Sequence, residues 1–133
     1  PREKLRQVLT VIVTTAGANP HLPRIMLREV AGGGANLPDE ALLLMGKVFL
    51  TVRQLLAEGA AAGEFRAVNP LTTHFQIIGS AMLIIASQPL RARLGKVAGI
   101  PEADQTVPPE ELAASVINLI FNGLLMRPAE GKQ

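Results

Sequence analysis

The chain has no cysteine, no tryptophan and no tyrosine among its 133 residues. Without cysteine, disulfides, thiolate metal sites and cysteine nucleophiles are excluded. Four phenylalanines are the only aromatic residues, so there is no stacking platform for single-stranded nucleic acid. Charge is also scarce. Charged residues make up 18% of the chain, and thirteen Lys and Arg against eleven Asp and Glu leave a formal charge of +2. Arg91 and Arg93 are the nearest thing to a basic run, and two charges do not make a phosphate-binding track. The two histidines, His21 and His74, are far apart, and no Asp or Glu lies within a helical turn of His74. A zinc site is not supported. No HExxH, GxSxG, phosphate-loop or dinucleotide fingerprint occurs. Gly32-Gly33-Gly34 lacks a following Lys-Ser/Thr pair and reads as a mobile linker. Together these absences point away from an enzyme, and neither cofactor nor metal is expected.

What is abundant is apolar residues, at 48%. Between residues 67 and 90 no formally charged side chain occurs, with His74 counted as neutral. Asn69, Thr72, Thr73, Gln76, Ser87 and Gln88 interrupt that stretch. Its purely apolar part is shorter than the ~20 residues a bilayer needs, so no membrane association is expected. Residues 1–6 are charged and lack the apolar core of a signal peptide. A cytoplasmic protein is the expectation.

Helical spacing runs through the whole chain, and its length fits one domain. Residues 2–16 carry Leu5, Val8, Leu9, Ile12 and Ala16 on one face. Asn19 and Pro20 cap and start a short helix over 20–31, with Leu22, Ile25, Met26 and Val30 inward and Arg24 and Arg28 in water. Residues 38–62 form the longest helix, striped by Leu42, Met45, Phe49, Val52 and Leu56. Gly46 and Gly59 are its weak points, at about 1 kcal/mol each relative to Ala. Residues 70–87 are apolar nearly all round, a pattern of helices buried on all sides. Pro89 ends that run. One further turn or two is expected over 90–96, and a surface loop over 97–108. A last helix covers 109–126, and Arg127, Pro128 and Gly131 lead into a frayed tail. No strand alternation of useful length occurs, so the fold class is all-α, an antiparallel bundle of five to six helices.

The joint at residues 58–70 organises this pattern. Gly63 can end a helix in the left-handed conformation. Asn69 can cap the next helix, and Pro70 fits its first turn. Phe65 is the only large apolar residue between Glu64, Arg66 and the small residues around them, and is expected to pin the joint to a core.

Two helices with two apolar faces each are more than a single bundle needs. Either one of them is a central core helix, or both pair with a second copy as a four-helix interface about a two-fold axis. Self-association is the favoured reading. Leu71, Ile78, Met82 and Ile85 on the first helix, with Val116, Ile120 and Gly123 on the second, are the expected interface. Polar residues embedded in apolar helices, Thr14, Arg53, Thr73, His74, Gln76 and Asn118, suit the orientation of a small ligand, although Thr73 and Gln76 are also readable as facing solvent or a second copy, and Gly79, Ser80 and Ala81 permit close helix approach. Met26, Met45, Phe49 and Phe75 suit an adaptable apolar wall. His74 reads more readily as an ordinary hydrogen-bonded core or interface histidine than as a ligand contact.

The joint also carries a resemblance. Glu58-Gly59, small residues, Gly63-Glu64-Phe65-Arg66 and Asn69-Pro70 before an apolar helix resemble the effector-binding domain of TetR-family transcriptional regulators. Asn19-Pro20-His21-Leu22-Pro23-Arg24-Ile25-Met26 resembles the short second helix of that domain, and Asn122-Gly123-Leu124-Leu125 resembles its closing helix. The resemblance implies a C-terminal regulatory domain spanning residues 1–133, which dimerises through its last two long helices and takes a small hydrophobic effector among the earlier ones. It implies that duplex DNA is a partner only through a preceding helix-turn-helix domain, which this chain lacks. A small enzyme with a hydrophobic pocket, or a helical interaction module without a ligand, are the alternatives.

Overall fold

The computed structural model describes residues 1–126, and the regular elements within them are helical. Six α-helices follow in order: α1 (Arg2–Ala18), α2 (His21–Ala31), α3 (Asp39–Ala61), α4 (Pro70–Ala86), α5 (Gln88–Ala98) and α6 (Pro109–Leu124). A 3-10 turn, Pro101–Asp104, lies between the last two. The all-α class is as expected, with the upper number of helices. The tail expected at Arg127, Pro128 and Gly131 lies outside the described residues.

The core is built around α1. Leu5, Leu9 and Val13 recur every fourth residue, Ala16 follows three later, and all four are buried. That spacing keeps one face toward the bundle, and α6, α4 and α3 pack against it. Leu5 and Leu9 join Val52, Phe65, Ile77 and Phe121 in one apolar cluster. Val13 joins Ala81, Leu112, Ala113 and Val116 in a second. Each fully buried Leu or Val contributes about 2 kcal/mol of transfer free energy. Arg2 and Arg6 lay their guanidinium groups over the Phe121 ring, 5.9 and 5.1 Å from its centroid, closing the end of the first cluster.

The joint between α3 and α4 is fixed from both sides. Gly63 has φ +71°, and the Glu64 and Phe65 N–H groups both donate to the Gly59 carbonyl, at 2.9 and 3.1 Å. This turns the chain sharply off the helix and drives Phe65 inward to 2% exposure. The ring then lies against the backbone of Gly59, where any Cβ would overlap its carbon atoms. Gly59 is therefore the seat of Phe65 rather than a mere weak point. The Arg66 N–H donates to the Leu124 carbonyl at 2.9 Å, and Phe65 and Leu125 form an isolated antiparallel bridge. Asn69 caps α4 as expected, its Oδ1 accepting from the N–H groups of Leu71 (2.9 Å) and Thr72 (3.1 Å).

At the other end of α4 the structure corrects the sequence reading. α4 does end just before Pro89, but a longer helix than expected follows at once. Ser87 terminates α4, Pro89 falls in the first turn of α5, and the two axes meet at 60°. A proline forbidden inside one helix is tolerated at the start of the next. The expected turn or two is an eleven-residue helix, and the expected 97–108 loop contains the last two residues of α5 and the 3-10 turn. Arg91 holds the corner. Its Nη1 donates to the carbonyls of Ala103 (2.9 Å) and Gln105 (2.8 Å), its Nη2 to that of Ile84 (3.1 Å), and its Nε to Ser87 Oγ (3.2 Å).

Burial departs from expectation on three helices. In α2, Leu22, Ile25 and Val30 are exposed rather than inward, and Pro23 and Glu29 are the buried residues. In α3 the striped face is buried only from Val52 onward, whereas Leu42, Leu44 and Met45 on its earlier turns are exposed. In α4 only Thr73, His74, Ile77 and Ala81 are buried, and Leu71, Phe75 and Leu83 are each more than half exposed. The neighbours that each of these helices meets among the described residues leave its remaining apolar residues largely uncovered. No single helix among the described residues is long and apolar enough to cross a membrane.

Candidate functional site

The open apolar surface of α4 falls on two sides. Thr73, Gln76, Ser80 and Ile84 are spaced three and four apart and share one side. They form a wall of a groove of about 480 Å³ whose other wall is α6, with Val116, Leu119, Ile120 and Gly123. Leu119 is 75% exposed. Serines at positions 80 and 115 and the glycine at 123 keep the groove shallow, so another helix can approach it closely.

Leu71, Phe75, Ile78 and Met82 lie on roughly the opposite side of α4 at 100° per residue. α2 and α3 both pack on α4, and on this side Leu71 and Phe75 are more than half exposed. His74, next to it, is 9% exposed, and its Nδ1 is buried without a hydrogen-bond partner among the described residues. Phe49 of α3 meets the His74 ring edge-on at 5.4 Å between centroids, and Phe75 does so at 5.5 Å. Burial against these rings pushes the His74 pKa below the ordinary histidine range, because taking the imidazolium out of water disfavours the charged form. An orphaned buried nitrogen costs free energy, and the neutral ring minimises that cost.

The expected ligand residues therefore divide. Phe49, His74 and Phe75 are brought together. Arg53 is exposed four residues beyond Phe49, Met45 is exposed one turn before it, and Met26 is half-buried on α2. None of these six lines the α4/α6 groove or the hollow at the α4–α5 corner. The expected interface residues divide as well. Val116, Ile120 and Gly123 line the groove, whereas Leu71, Ile78, Met82 and Ile85 do not. The groove wall on α4 is made instead by the polar and small residues Thr73, Gln76 and Ser80. The sequence marks Thr73 and Gln76 as pocket-lining or partner-facing candidates and Ser80 as a site of close helix approach, but does not group them on one wall. The signal that could have found them is their common phase with Ile84.

The corner hollow, of about 390 Å³, lies where Gly17, Pro20 and Arg24 meet the end of α4, the start of α5 and the segment leading into α6. It holds Arg91, which the sequence marked only as one of two neighbouring charges.

Over residues 1–100 the chain matches the family described as tetracyclin repressor-like, C-terminal domain. The match spans α1 to α5, while α6 follows it. No curated protein and no solved structure matches the chain.

Proposed function

The chain belongs to the tetracyclin repressor-like C-terminal domain family, and on that footing we propose that it is the regulatory domain of a transcriptional regulator, dimerising with a second copy and answering a small apolar effector. The observation that carries this reading is the apolar, shallow groove between α4 and α6. A second copy placing its own α4 and α6 there would complete a four-helix interface about a two-fold axis, which is self-complementary by symmetry. The surface removed from water in that way would include Leu119, Ile84 and Leu83, all exposed in the single chain.

The effector belongs, on this reading, to the other side of α4, where His74 lies between Phe49 and Phe75 and where the early turns of α3 leave Leu42 and Met45 uncovered. α4 would then carry an effector side and an interface side on one rigid element. A ligand preferring one packing of α4 against α2 and α3 would shift the population of subunit arrangements, and only by its differential affinity for them. Duplex-DNA binding by a helix-turn-helix domain would be the output. The role is regulatory rather than catalytic.

Leu119→Glu tests the interface. Leu119 is exposed in the single chain, so the charge leaves the fold intact but enters an apolar contact in the dimer. The variant is expected to sediment as a monomer with unchanged helix content at concentrations where the unmodified chain is dimeric. A variant that remains dimeric removes the α4/α6 interface.

A further inference from the structure

The corner hollow carries more positive charge than its surroundings balance. Arg24 and Arg91 both line it, and its other polar linings are Gln88 and Thr106. Among the described residues no carboxylate lines it. The Gln88 amide is within 3.5 Å of Asp104 Oδ1, but Asp104 forms no ion pair with either arginine. Among the described residues the only ion pair is Arg6 with Glu3.

Arg91 is not free to leave. Four of its N–H groups are spent on three backbone carbonyls and the Ser87 hydroxyl, and a guanidinium has five. All four acceptors are neutral, so they fix the group in place without cancelling its charge. Arg24 is the opposite case: exposed, on the second turn of α2, with its whole fork available. Facing the two arginines is an apolar wall of Ile84, Ile85, Val107 and Leu112, stiffened by Pro108 and Pro109.

We propose that this hollow binds an apolar molecule bearing a single carboxylate. Arg24 closes on the carboxylate as a two-pronged donor, Arg91 supplies a fixed positive field, and the hydrocarbon body covers Ile84, Val107 and Leu112. A planar carboxylate matches one free guanidinium fork. An inorganic or nucleotide phosphate would leave the apolar wall bare and would want more donors than one fork provides. The site is distinct from the His74 cluster and stands independently of the effector and dimer assignments above. Ile84 and Leu112 also line the α4/α6 groove, so occupancy of the hollow acts on residues shared with that surface.

The test is a titration of the 133-residue chain with octanoate, octanol and acetate, read by calorimetry and by amide and side-chain NMR shifts. Octanoate is expected to shift the signals of Thr106, Val107 and Gln88. Octanol, without the charge, and acetate, without the chain, are expected to bind at least about tenfold more weakly, the scale of a charge-assisted contact. Arg24→Gln is expected to weaken octanoate by about tenfold and to leave octanol unchanged. Octanol binding as tightly as octanoate, octanoate binding unaffected by Arg24→Gln, or no octanoate binding each overturns the proposal. Octanoate that shifts the His74 ring signals while Thr106 and Val107 stay still overturns the placement here and leaves the regulatory reading standing.

Discussion

α1 and α4 are both seventeen residues long, yet they use apolar residues in opposite ways. α1 mixes Arg2, Glu3, Lys4, Arg6 and Gln7 with a narrow stripe, and that stripe is sealed, with Leu5, Leu9 and Val13 at 0% exposure. α4 is far more apolar, yet Leu71, Phe75 and Leu83 remain at 53, 58 and 60%. The apolar content of a helix does not therefore measure how central it is to its own bundle. In α1 the stripe matches the neighbours the chain supplies. In α4 the excess over that need leaves apolar surface uncovered among the described residues, the kind of surface that marks a binding or association face.

The comparison can be broken most sharply by truncation. Leu9→Ala is expected to cost about 3 kcal/mol, transfer free energy plus a cavity, and Leu71→Ala less than about 0.5 kcal/mol, both read from denaturant unfolding. Equal costs would mean that α4 is as enclosed as α1. Next in size is Gly59→Ala. In an ordinary helix interior the change gains about 1 kcal/mol. Here the new Cβ meets the Phe65 ring, and overpacking is expected to make the variant less stable by about 2 kcal/mol. Combining it with Phe65→Leu is expected to recover part of the loss, and a Gly59→Ala variant more stable than the parent would refute the seat. The smallest effect concerns His74. Burial lowers its pKa in the folded state, so protonation favours the unfolded chain. Its contribution is whole above the ordinary histidine pKa of about 6.5 and is lost as pH falls below that value. The drop in Tm between about pH 7.5 and pH 5.5 is expected to be larger for the parent than for His74→Leu. Equal drops would show that burial does not disfavour the charged form of His74.

The sequence carried the helices and the joint plainly, because Gly63, Asn69 and Pro70 act through local geometry that neighbours do not alter. It underestimated α5, since Pro89 was read only as the end of one helix when it also sits in the first turn of the next. It described Gly59 by propensity alone, because the ring that needs it is six residues away around a turn. The candidate sites were legible only in part. Phe49, His74 and Phe75, singled out by their chemistry, come together in the structure. The α4 side of the groove was not legible, since apolarity on every side hides which azimuth faces α6. Arg91 was missed because its partners are backbone carbonyls, which leave no mark in composition.

The absence of cysteine gives the most direct test of the central claim, that a second copy covers the α4/α6 groove. Ser115→Cys places one thiol on the exposed groove face of α6, and Thr10→Cys places one on the exposed face of α1. Labelling by a maleimide is measured over a range of protein concentrations. The rate at position 115 is expected to fall at least about tenfold as dimer forms, while the rate at position 10 stays constant. A rate at position 115 that does not change with concentration, under conditions where the protein sediments as a dimer, would contradict the account.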